Sequence, residues 1–80
     1  MKIFCSAIKQ DGIIYPGKRH HNCIATIAEI TGELVNGEQG FIDDSGNFYD
    51  RKRARILAEK AGQLLERASK GDKLFSEDIY

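Results

Sequence analysis

Apolar and polar positions along this chain change period repeatedly, and each change marks an element. Ile3 to Ile8 is a β-rich run, broken at Gln10, Asp11 and Gly12 and resumed from Ile13 to Tyr15. An Asp-Gly pair between two such runs is the strongest short-range hairpin signal. Pro16 and Gly17 end that hairpin. From about Lys18 apolar residues recur at three and four, through Cys23, Ile24, Ile27, Ala28, Ile30 and Thr31, which predicts a helix of roughly three turns with Gly32 as its stop.

The pattern then starts again. Glu33 to Glu38 reads as a polar connection with an Asn-Gly turn signal. A second hairpin opens with Gly40, Phe41 and Ile42, turns at Asp44, Ser45 and Gly46, and returns through Phe48 and Tyr49. Asp50 suits the N-cap of a second helix whose apolar stripe is Ala54, Leu57, Ala58, Ala61, Leu64 and Leu65. Gly62 inside that helix either weakens it or marks close packing against the first helix.

Sliding the chain against itself by 34 residues lays Ala7 to Ile30 over Phe41 to Leu64, so that Ile8 meets Ile42, Gly12 meets Gly46, Tyr15 meets Tyr49, Lys18 meets Lys52 and Arg19 meets Arg53. The expected fold is therefore α+β: a tandem ββα-ββα repeat forming a four-stranded antiparallel-type sheet with two helices on one face. We read one domain, 1–80, with repeat units at about 3–32 and 39–66 and a docking tail at 68–80. The tail ends Leu74-Phe75-Ser76-Glu77-Asp78-Ile79-Tyr80, too apolar and aromatic for a plain solvated terminus.

Composition narrows the function classes. Twelve basic residues balance twelve acidic ones, which argues against disorder and against a bulk polyanion binder, so electrostatic function has to come from local patches. Cys5 and Cys23 are too few for a disulfide framework or a zinc site and read as small buried hydrophobes in a reducing cytoplasm. There is no signal-peptide pattern and no apolar stretch near 18 residues, so no membrane partner is expected. An 80-residue chain buries only about 60–65% of its unfolded surface, which favours a homo-oligomer.

The candidate chemistry is basic. Lys18, Arg19, His20 and His21 enter the first helix, and Arg51, Lys52, Arg53 and Arg55 enter the second. Cations in a helix's first turn oppose its dipole. Free N–H groups and guanidinium donors at one helix start do converge on a phosphate or carboxylate, which suggests two pseudo-symmetric anion sites. The alternative is a solvated basic face neutralised by Glu77, Asp78 and the terminal carboxylate. Tyr15 and Tyr49, just before the basic clusters, are candidate stacking platforms, or partly buried sheet residues. Adjacent histidines do not easily face one small site together, so one is expected to pack while the other points to ligand or solvent. Asp43, Asp44 and Asp50 give only a weak metal signal, since a turn accounts for Asp44 and capping for Asp50. No phosphate loop, nucleophile elbow or zinc spacing is present, and neither cofactor nor metal is expected.

Two stretches are more specific. Gly12, Tyr15, Gly17, Arg19, His20 and His21 fall in a Gly-x-x-Tyr-x-Gly-x-Arg-His-His pattern. Gln39 to Arg51, Ala61-Gly62-Gln63 and the ending Leu74-Phe75-Ser76-Glu77-Asp78-Ile79-Tyr80 complete a combination that resembles a family of small phage and prophage proteins over nearly the whole chain. Lys52-Arg53 departs from it, where a more acidic helix start is expected. The resemblance implies the cytoplasm of a bacterial host. It also implies a class that includes oligomeric sponges for the nucleotide second messengers of bacterial immunity. The residues then point to a non-enzymatic binder of a phosphate-bearing, and by that resemblance cyclic, nucleotide, with Tyr15, Lys18, Arg19, His20, His21, Tyr49, Arg51 and Arg53 at the ligand. The competing readings are a nucleic-acid or host-protein module on the same basic face, and a small phosphoester hydrolase using His20 or His21.

Overall fold

The computed structural model describes residues 2–32 and 35–79. Glu33 and Leu34 of the connection between the units, and Tyr80 of the tail, lie outside the described residues. Strand β1 (Ile3–Gln10) turns through Asp11 and Gly12 into β2 (Ile13–Gly17). Both turn residues have positive φ, 52° and 77°, as a two-residue hairpin with the right-handed strand twist requires. Pro16 and Gly17 are the last two residues of β2 and end the hairpin, as expected. An edge strand tolerates the missing proline N–H.

Helix α1 (His20–Thr31) follows, then β3 (Glu38–Asp43), β4 (Phe48–Asp50), α2 (Arg51–Lys60) and a 3-10 turn at Ser76–Asp78. The four strands form one antiparallel sheet in the order β2-β1-β3-β4. Ser6 pairs with Phe41 and Ala7 with Gly40. At the 34-residue offset the equivalents of Ser6 and Ala7 are Gly40 and Phe41, so exchanging the two units maps this central pairing onto itself. The repeat is thus an approximate twofold about the middle of the sheet.

The helices break that symmetry. His20 opens α1, but its repeat equivalent Ala54 lies inside α2, which already starts at Arg51. The cause is Asp50, whose carboxylate accepts from the Arg53 N–H at 2.8 Å and caps α2 directly after β4. Unit 1 has Pro16 at that position, without a side-chain acceptor. Lys18 and Arg19 therefore precede α1, contrary to the expected start at about Lys18, while Lys52 and Arg53 sit within α2.

Helix α2 also ends at Lys60, well before the expected Leu65. Gly62 lies outside it with φ 67°. The Gly62 N–H donates to Glu59 O and the Gln63 N–H to Ala58 O, a left-handed helix stop that glycine adopts without strain. Gln63 then bridges β1: its Oε1 accepts from the Ile3 N–H at 2.7 Å and its Nε2 donates to Ile3 O at 2.8 Å.

Two clusters form the core. Ile8, Tyr15, Cys23 and Ile27 pack under α1, and Ile3, Phe41, Ala54, Ala58 and Leu74 under α2. Ser6 lies opposite Phe41 and two residues from Ile8, so Ile8 and Phe41 share a sheet face. Both helices lie on that face. Of the predicted α1 stripe, Ile24 and Ile30 are exposed rather than buried, because α1 meets the sheet along the narrower Cys23–Ile27 line. Leu74 carries the tail back into the second cluster. Arg55 donates to Ser69 O and pairs with buried Asp78, which accepts from Ser69 and Phe75. No helix among the described residues is long and apolar enough to cross a membrane.

Candidate functional site

The chain leaves β2 extended and enters α1 with Arg19 at the N-cap position. Arginine carries donors only, so its side chain cannot close the first turn as the Asp50 carboxylate closes α2. Instead the Arg19 N–H donates to Asn22 Oδ1 at 3.1 Å. The guanidinium swings toward the tail, where Nη1 lies 3.4 Å from Ser76 Oγ and 3.9 Å from Glu77 Oε2.

Arg51 reaches the same place from the start of α2. Its Nη1 donates to Leu74 O at 2.8 Å, its Nη2 donates to Gln39 Oε1 at 2.6 Å, and the guanidinium stacks 4.8 Å from the centre of the Phe75 ring. Burial lowers the Arg51 pKa from its ordinary value, and the negative charges of Glu77 and Asp78 oppose that effect. His20 packs edge-on against Phe41, ring centres 5.1 Å apart, with Nε2 at 2.8 Å from Gly40 O. Burial pushes its imidazole below the usual histidine value, and Arg51 adds to this while the Gly40 carbonyl and Glu77 oppose it. His21, beside it, is exposed.

These side chains border one cleft of about 290 Å³, lined by Arg19, His20, His21, Arg51, Phe75, Ser76 and Glu77. Four of the eight residues singled out in the sequence therefore meet: Arg19, His20, His21 and Arg51. The other four do not join them. Tyr15 is buried in the cluster under α1, and Lys18 is exposed next to the cleft, its carbonyl accepting from Ser6 Oγ. Tyr49 and Arg53 border a different groove of about 220 Å³ with Ile56, Leu57 and Lys60. The two expected pseudo-symmetric sites are thus one cleft and one unlike groove, a consequence of the displaced helix starts.

The cleft also holds residues that the sequence did not single out as ligand-binding, namely Phe75, Ser76 and Glu77. Their signal was the apolar-aromatic ending of the tail, but what it docks against is a tertiary fact. The pairing of basic residues with Glu77 and Asp78 is real and divided: Arg19 takes Glu77, while buried Arg55 takes Asp78.

Asp43 has a structural part. It accepts from Ser45 N, Asn47 N, Asn47 Nδ2 and Tyr49 Oη, all within 3.1 Å. Burial alone would raise its pKa, but the hydrogen bonds from Asn47, Tyr49 and Ser45 outweigh it and hold the carboxyl at about 2. Asp43, rather than Asp44, is the side chain that organises the second hairpin turn. Among the described residues no group of three His, Cys, Asp or Glu side chains is placed to hold a metal ion. Cys23 is buried and Cys5 half-buried, and burial raises both thiols, Cys23 to about 11.

The family model described as phage T4 y16D protein matches residues 2–80, and the chain belongs to that family. No curated protein and no solved structure matches it.

Proposed function

We propose that this phage-family protein is a non-enzymatic binder that captures a phosphate-bearing nucleotide in the cleft between the start of α1 and the C-terminal tail, and sequesters it from the host. The observation that carries the reading is the convergence of two guanidiniums, Arg19 and Arg51, from opposite repeat units on one cleft of about 290 Å³. Arginine suits phosphate because its planar fork donates two hydrogen bonds at once. The start of α1, beside Arg19, adds the positive end of the helix dipole. Phe75, 39% exposed at the cleft, takes the stacking part that the sequence assigned to Tyr15 and Tyr49.

Capture suits these residues better than turnover. The half-buried histidine, His20, has Nε2 committed to a backbone carbonyl and a lowered pKa, so it is held as a packed neutral ring. A cyclic nucleotide signal of host immunity is the ligand that the phage setting favours.

A thermal-shift screen against linear and cyclic nucleotides tests the reading. A ligand at 100 times its Kd stabilises the fold by about 2.7 kcal/mol, and no shift with any nucleotide contradicts it. Salt dependence separates the nucleic-acid alternative, because many phosphate contacts weaken steeply with salt whereas one or two weaken gently. Chromatography of the ligand after long incubation detects turnover, which would select the hydrolase reading.

A further inference from the structure

Glu77 stands where an anion in the cleft would meet Arg19. Its Oε2 lies 3.9 Å from Arg19 Nη1 and 3.3 Å from Ser76 Oγ, and the side chain is 68% exposed. The backbone cannot carry it away. Glu77 is the middle residue of the 3-10 turn, between Ser76 and Asp78, which are 6% and 2% exposed. Asp78 is anchored by Ser69, Phe75 and Arg55. A bound phosphate therefore shares the cleft with a carboxylate held within reach. Arg19 and Arg51 against Glu77 leave the cleft with a small positive surplus rather than two uncompensated cations.

We propose that Glu77 is a charge filter, which weakens a doubly charged phosphomonoester in the cleft more than a singly charged phosphodiester. This rests on the reading of the cleft as a phosphate site. Repulsion between Glu77 and a ligand scales with the ligand's charge. A phosphodiester carries one negative charge. A phosphomonoester, with a second pKa of about 6, carries two at pH 8. The two arginines attract the dianion more strongly as well, so Glu77 narrows its advantage over the monoanion.

The test is calorimetry at pH 8 and low salt, comparing adenosine and guanosine 3′,5′-cyclic monophosphates with the 5′-monophosphates, on the wild-type chain and on Glu77→Gln. Removal of the Glu77 charge is expected to shift the balance between the two classes toward the 5′-monophosphates. Glu77→Gln should tighten the cyclic monoanions by about threefold and the 5′-monophosphates by about tenfold, because the relieved repulsion doubles with the charge. An equal gain for both classes would mean that Glu77 merely swings aside, which overturns the filter and leaves the phosphate site standing. Binding of none of the four nucleotides to either protein would remove the phosphate site itself. The melting temperature of Glu77→Gln reports whether it folds. If it does not, Glu77→Ala takes its place in the same comparison, and an equal gain for both classes again overturns the filter.

Discussion

Asp43 and Tyr49 belong to the fold, and Arg19 and Arg51 to the cleft, although all four are polar side chains on or next to the sheet strands. The Asp43 pKa of about 2 lies below its value in an unfolded chain, so the unfolded state binds the proton more readily. The stability that Asp43 contributes is then fully present above about pH 4 and is lost as pH falls toward 2. Urea melts at a series of acidic pH values should show this slope, and Asp43→Asn should lower stability at pH 7 and flatten the slope between pH 4 and 2. Gly40 is a second fixed point. A Cβ there would run into the Tyr49 carbonyl and the Phe48 ring, so Gly40→Ala should cost about 1–3 kcal/mol by overpacking, read from the denaturant midpoint. Arg51 is more than a candidate ligand donor, because it clasps Leu74 and Gln39. Arg51→Ala should therefore lose stability as well as ligand.

The strands and helices were readable where a local signal decides them: Asp11-Gly12 for the first turn, Asp50 for the start of α2, Gly32 for the end of α1. Reading failed where a local pattern continued past a stronger stop. Leu64 and Leu65 prolong the α2 stripe in sequence, yet Gly62 ends the helix and the chain turns so that Gln63 meets Ile3. Nothing crowds a Cβ at Gly62, so Gly62→Ala should cost only the strain of its positive φ, about 1–2 kcal/mol. A larger loss in a thermal melt would point to contacts the geometry lacks. The cleft was half legible: its basic side chains stand out in sequence, but the tail that walls it is brought in by Leu74 and Asp78 across the fold. Leu74, fully buried in the second cluster, should cost about 2–5 kcal/mol as Leu74→Ala, and the cleft should open with it.

As a whole the molecule is two ββα units about an approximate twofold, with symmetry in the sheet and asymmetry in the helix starts. That asymmetry concentrates the candidate binding chemistry at one place instead of two. Phe4, Ile13, Ile30 and Ile56 are each more than half exposed on a small chain. We expect a homo-oligomer, at least a dimer, in light scattering at roughly tens of micromolar, and a monomer there contradicts it. The central claim is that one cleft, built on Arg19, takes the phosphate. The measurement that tests it most directly is the calorimetric affinity of a nucleotide found by thermal shift, compared between Arg19→Ala and Arg53→Ala, with each variant's melting temperature recorded. Arg19→Ala should keep its stability within about 0.5 kcal/mol and weaken binding by about 1.5–3 kcal/mol, the range for a hydrogen bond to a charged group, while Arg53→Ala binds as the wild type does. Equal losses from both variants, or unfolding of Arg19→Ala before any loss of ligand, would contradict it.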